Sequence, residues 1–212
     1  MSGSPAFDVV GFGFNTVDHV CVVERPLLDG KTRARDYRQL PGGQVPTALV
    51  ALQRWGLRTA YVGPLGDDAG GAAQRAALEA EGVDLRGARL RPGVASHTSL
   101  ILVDAISGER AITWHRPPGL ALRADELDAA LFAAGRALLL DADDADTALL
   151  AAGAARAAGA LVMLDVDVPG PRTAALLART DVAIVADGFR SATPASPTSA
   201  PRCAAWPRRV RA

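Results

Sequence analysis

Residues 40–63 read LPGGQVPTALVALQRWGLRTAYVG, and the fold is decided here. Glycine loses more backbone entropy on folding than any other residue, so two in succession, Gly42 and Gly43, mark a place where the backbone must be bare. Behind them Leu49, Leu52 and Trp55 recur at helical spacing from Val45. Pro46 is tolerated in a first helical turn, and Gly56 is placed to stop the helix. Residues 59–62 then read as a strand, so the stretch predicts a glycine turn, a helix and a strand in series.

Working outward, residues 7–14 (FDVVGFGF) form a short β-branched apolar run ending in glycine, which predicts a buried strand. Residues 15–18 read as a turn and 19–24 (HVCVVE) as a second strand. An alanine-rich helix is expected over 70–81, stopped by Gly82. Residues 99–104 and 110–115 flank the turn-like 105–108 and predict a β-hairpin projecting from the main sheet. Past Asp125 the apolar runs 138–140, 161–164 and 182–185 follow one another at intervals of about 22 residues, the spacing of βα units in a parallel sheet. Antiparallel pieces are therefore expected in the first half and parallel units in the second: an α/β body with a small β-flap.

The chain has 212 residues, 49% of them hydrophobic, enough for one substantial α/β domain. Lys+Arg and Asp+Glu are 23 each, so the total charge argues for neither a nucleic-acid partner nor an anionic membrane. Two cysteines, Cys21 and Cys203, are too few for a disulfide framework and point to a reducing, cytoplasmic location. The N-terminus lacks the basic region of a secretory signal, and no apolar run reaches the roughly 18 residues of a membrane span.

For chemistry, Gly11-Phe12-Gly13 is a poor dinucleotide fingerprint, because Thr16 stands at the third glycine position and a strand, not a helix, is expected to follow. Asn15, Asp18, Gly42 and Gly43 make a better constellation. An ionised Asp at a strand end can accept bonds from two hydroxyls of a polyol at once. A diglycine at a helix entrance lets main-chain N–H groups approach a ligand beside the positive end of the helix. From spacing alone, a tight loop needing positive φ explains the glycines equally well.

The ordered set GFGFNTVD, LPGGQVPTALVALQRWG and AYVGPLGDDAGG, followed by the hairpin, resembles the PfkB, or ribokinase-like, family of carbohydrate and nucleoside kinases over about residues 7–189. The resemblance covers the N-terminal two-thirds of that family. It implies a layered α/β/α body with a β-sheet lid contributed by about 19–40 and 97–116. It implies that Asp18 contacts substrate hydroxyls, that Gly42 and Gly43 line the sugar site, and that Thr47 stands where the family usually has Asn. Asn15 and Ser99 complete the expected substrate residues, and Trp114, His115 and Arg116 are expected near the lid. Gly66, Asp67, Asp68 and Gly71 match a structural turn. ATP and Mg²⁺ are the implied cofactors, a sugar or polyol the partner, and a homodimer through the lid the assembly. Asp165, Asp167 and Pro169 resemble the approach to the nucleotide region.

The family's Gly-Ala-Gly-Asp motif, whose amides stabilise the transferring phosphoryl group and whose Asp takes the acceptor proton, does not occur in this sequence. No catalytic residue is therefore expected among the residues present. Residues 190–212 are Pro-rich, carry five arginines and no acidic residue, and show no period. They read either as an ordinary basic tail or as the product of a lost reading frame. Arginine outnumbers lysine 22 to one, the mark of a GC-rich coding sequence, and a layered sheet that stops straight after a strand is incomplete. The expectation is a domain over 1–189, truncated at its C-terminus, whose family phosphorylates a sugar hydroxyl with ATP. The alternatives are a catalytically silent sugar-binding module and a non-functional fragment.

Overall fold

The computed structural model describes residues 5–24, 30–186 and 189. The basic segment 190–212 and Cys203 lie outside these residues.

A six-stranded sheet forms the centre, with strand order β10-β9-β8-β1-β4-β5 and every neighbouring pair parallel. Its strands are β1 (Phe7–Phe12), β4 (Thr59–Gly66), β5 (Asp84–Arg91), β8 (Gly135–Leu140), β9 (Leu161–Val166) and β10 (Val182–Val185). Parallel sheets need crossovers, and helices supply them: α1 (Gln44–Arg54), α2 (Ala69–Ala80), α3 (Ala129–Ala133), α4 (Ala145–Ala157) and α5 (Thr173–Leu177).

The two faces of the sheet carry separate cores, as the two-residue period of a strand requires. Val10, Phe12, Leu138, Leu140 and Leu164 pack with Ala148, Ala151 and Ala155 of α4, and with Leu131 and Phe132 of α3. Tyr61, Leu65 and Leu139, on the opposite face, pack with Val45 and Leu49 of α1 and Leu78 of α2. Small alanines let α4 lie close on the sheet, and the result is the layered α/β/α body expected.

A second sheet of four strands, order β3-β2-β6-β7, stands against the C-terminal ends of the first. It comprises β2 (Thr16–Val23), β3 (Asp36–Gly42), β6 (Thr98–Asp104) and β7 (Arg110–His115). The predicted hairpin is its β6–β7 pair, antiparallel, with Gly108 at φ +74 in the turn. β2 pairs antiparallel with β3 and parallel with β6.

Two expectations are corrected, and one strand was missed. Residues 15–18 are not a turn: β2 already begins at Thr16, which pairs with Gly42, while Val17 pairs with Pro41 and Thr98. β-branched Thr16 and Val17 favour the strand and shorten the turn. Parallel strands are not confined to the second half, since β1, β4 and β5 belong to the central sheet. Strand β5 also escaped the sequence reading. Its sequence DLRGARLR puts arginines where an apolar run was sought, and Gly87 stands where a Cβ would meet side chains of Val62 at 2.7 Å and Leu131 at 2.8 Å. Cys21 is a free thiol, and among the described residues no helix is long and apolar enough to cross a membrane.

Candidate functional site

Between the small sheet and the C-terminal ends of β1, β8 and β9 lies a cleft of about 670 Å³. Parallel α/β sheets hold ligands at this end, where strands stop and loops begin. The small sheet forms one wall by simple alternation: Thr16 and Asp18 from β2, His97, Ser99 and Ile101 along β6, and Ile112 and Trp114 from β7 face the cleft. The body supplies Gly43 and Gln44 at the start of α1, Asp143 and Asp146 after β8, and Asp165, Asp167 and Arg172 around the end of β9.

Asp18 is half-buried in β2, opposite Leu40 and beside Ser99. Burial pushes its carboxyl above the usual range, and the hydroxyls of Ser99 and Thr16 oppose the shift. Those hydroxyls lie 2.9 Å apart. A Cβ on Gly42 would fall on Asp18 Oδ2, so the carboxylate occupies the space that a side chain at Gly42 would fill. Gly43 meets a different demand. Its φ is +104, and a Cβ there would lie 2.7 Å from Phe14 O and 2.9 Å from Asn15 Cα. The positive-φ reading of the diglycine holds at Gly43, while Gly42 is bare for a reason the sequence did not supply, the close approach of the Asp18 carboxylate. α1 has no side-chain cap at Gly43, and Gly43 and Gln44, which line the cleft, bring the uncapped start of the helix to it.

Asp141, directly after β8, underlies the floor. It accepts bonds from Phe14 N at 2.9 Å and Asp143 N at 3.1 Å, and Gly13 is bare because a Cβ there would fall on Asp141 Oδ2. Full burial, reinforced by Asp143, pushes Asp141 up to about 8. Burial also raises Asp143 and Asp165, the latter helped by Asp167. Gln44 Nε2 donates to Asp167 Oδ2 at 2.9 Å, tying the helix start to the β9 loop. Arg172 pairs with Asp146 at 2.7 Å.

The structure divides the residues singled out from the sequence. Asp18, Gly43 and Ser99 meet in the cleft, and Gly42 backs Asp18. Asn15 and Thr47 lie instead in a second groove of about 190 Å³ between α1 and α2, with Gly42 and the buried Gln74. Asn15 is engaged there: its Nδ2 donates to Tyr61 Oη at 2.7 Å and to Pro64 O, while Tyr61 Oη donates to Gly13 O at 2.9 Å. Asp67 and Asp68 hold a turn. Asp68 caps α2 through Gly71 N at 2.9 Å and accepts from Ser96 N at 2.8 Å, and Asp67 accepts from Gly93 N at 2.9 Å. Trp114 faces the cleft, whereas Arg116 turns to Asp144 in a two-pronged pair at 3.0 and 2.7 Å.

Thr16, His97, Asp141, Asp143, Asp146 and Arg172 were not foreseen. For Thr16 and His97 a signal existed: each is two residues from a recognised site residue, and strand period two puts such pairs on one face. For the others there was none, because loops more than a hundred residues downstream reach the cleft only through the sheet order.

The family described as pfkB family carbohydrate kinase matches residues 7–187. Fructokinase-1 of Zea mays is 33% identical over 165 residues, which are 74% of this chain and 50% of that protein. This chain spans about half the length of the curated relatives it matches. Among solved structures, ribokinase of Arabidopsis thaliana complexed with ribose and ATP superposes with a TM-score of 0.69 at 24% identity, covering 86% of this chain and 60% of that one. Fructokinase from Xylella fastidiosa has a TM-score of 0.69 at 24% identity, with 83% and 58% covered.

Proposed function

The chain belongs to the pfkB family of carbohydrate kinases, and from that premise we propose that it forms the sugar-holding part of a sugar kinase, with the cleft under the small sheet as its substrate site. One observation carries this reading: the Asp18 carboxylate, seated in the space left by Gly42 and flanked by the Thr16 and Ser99 hydroxyls, faces a cleft whose far side begins with the uncapped amides of α1. An ionised carboxylate accepts from two vicinal hydroxyls, and amides donate to others, which is the complement of a polyol. The small sheet acts as the lid. Ligands of the ribose and fructose class fit the reading, since the solved ribokinase relative is complexed with ribose and curated relatives are fructokinases.

ATP is the phosphoryl donor at family level, and structures of relatives contain it. The described residues do not fit a nucleotide triphosphate. The wall at β9 presents Asp165 and Asp167, Arg172 is already paired with Asp146, and among the described residues no group of three His, Cys, Asp or Glu side chains is placed to hold a metal ion. No step is therefore routed through ATP or Mg²⁺, and no residue is assigned as the base. A second reading is a module that holds sugar without phosphorylating it. A homodimer would use the outer face of the lid, where Tyr37 and Leu100 are exposed.

Calorimetric titration with D-fructose and D-ribose, with ADP release followed in the presence of ATP and Mg²⁺, tests the reading. Sugar binding with ADP release supports the kinase, and sugar binding alone the module. No binding of either sugar by the folded chain contradicts both.

A further inference from the structure

His97 immediately precedes β6, two residues before Ser99, and its ring lies on the cleft side of the lid with Ser99, Thr16 and Asp18. Only 4% of the residue is exposed, and neither ring nitrogen has a hydrogen-bond partner. Buried polar groups are nearly always paired, so an imidazole with both nitrogens unpaired needs an explanation. The ring is held between two aromatics, Phe14 at 5.0 Å and Trp114 at 5.6 Å between centroids. They differ in freedom. Phe14 is anchored at its backbone N–H by Asp141, whereas Trp114 sits on the edge strand β7 and is 65% exposed. Burial, with Arg116 and His115 nearby, lowers His97 to about 4, so at neutral pH the ring is uncharged and offers one donor and one acceptor.

We propose that His97 is a specificity-determining contact of the sugar site: a ligand hydroxyl displaces the Trp114 indole, enters the space it covered, and pairs with an imidazole nitrogen. The hydroxyl is a different one from those accepted by Asp18. This inference rests on the sugar-binding reading above and deepens it. A site whose buried polar group is completed only by the ligand discriminates strongly against an analogue lacking that hydroxyl. The uncharged imidazole suits a neutral polyol better than an anionic sugar, since it brings no charge to pair.

The test is a cycle of protein and ligand changes. Wild type, His97→Phe and His97→Gln are titrated calorimetrically with D-fructose and with its monodeoxy analogues. In the wild type, removal of one particular hydroxyl weakens binding by about tenfold or more. His97→Phe weakens D-fructose binding by a similar factor, and removal of that same hydroxyl then has no further effect. His97→Gln, which keeps a donor and an acceptor, restores most of the affinity. Saturation with D-fructose changes tryptophan emission in the wild type; the change survives in Trp55→Phe, at an exposed residue outside the cleft, and is lost in Trp114→Phe. If His97→Phe binds D-fructose as the wild type does, or loses affinity equally for every analogue, the role of His97 is overturned while the sugar site stands. If the folded wild type binds none of these sugars, the sugar site itself is overturned and His97 with it.

Discussion

Gly42 and Gly43 are adjacent and bare for different reasons, so substitution should separate them. Gly42 has no positive φ, and alanine is conformationally allowed there; the obstacle is the Asp18 carboxylate. Gly42→Ala is expected to keep the fold, displace Asp18 and weaken D-fructose binding by about tenfold or more, the loss of a charge-assisted hydrogen bond. Adding Asp18→Ala should recover the stability lost in Gly42→Ala, but not the binding. Gly43→Ala forces an L residue to φ +104 against Phe14 O. It should lower unfolding free energy by roughly 1–2 kcal/mol or more, measured by urea denaturation, whatever stands at residue 18. The sequence made the need for bare backbone legible, and it singled out Asp18, which lines the cleft. It could not apportion the two reasons, because which glycine meets Asp18 depends on the pairing of Thr16 with Gly42 across β2 and β3.

Among the elements, those with a strong internal pattern were legible. β1, β6 and β7 announced themselves by apolar runs, and α1 and α2 by glycine stops at Gly56 and Gly82, both with positive φ. No local pattern marked β3, which the resemblance alone placed in the lid, because Asp36 to Pro41 are exposed on both faces of the strand and no apolar face is required. The Gly66 to Gly71 turn was read correctly as structural, and Asp68 gives its test. Burial alone would raise the Asp68 carboxyl, but bonds from Ser96 and Gly71 pull it below the usual value. A carboxylate lowered on folding stabilises above its unfolded pKa, and that contribution fades as pH falls through the folded value. Asp68→Ala should therefore cost about 1–2 kcal/mol at pH 7 and progressively less in acid, as chemical denaturation at several pH values would show.

At the scale of the whole molecule, the strand order β10-β9-β8-β1-β4-β5 brings Asp141, Asp143, Asp165 and Asp167 to one end of the sheet, Asp141 buried beneath the cleft floor and the other three lining the cleft. No local pattern announces that gathering: on the body side only Gly43 and, by resemblance, Asp165 and Asp167 were singled out, and on the lid side Asp18, Ser99 and Trp114. The crowding has a measurable result. Asp141, pushed up to about 8 by burial and Asp143, keeps its proton in the folded chain between about pH 4 and 8, whereas the unfolded chain releases it near 3.8. The unfolded state binds fewer protons over that window, so stability falls as pH rises through it. Asp18, Asp143 and Asp165, also raised, act in the same direction. The thermal midpoint followed by circular dichroism should decline from pH 4.5 to 8, and Asp141→Asn, which keeps an acceptor for Phe14 N, should flatten that decline. Glu126, held down to about 2 chiefly by Arg91, has the opposite sign but titrates below the window.

The account stands on the cleft beneath the small sheet receiving a polyhydroxylated ligand on Asp18, and a crystal structure of the chain grown with saturating D-fructose tests this most directly. The prediction is sugar density in that cleft with two hydroxyls within about 3 Å of the Asp18 carboxylate and another near the first amides of α1. Sugar bound only in the groove between α1 and α2, or a cleft closed by packed side chains around Asp18, would contradict it.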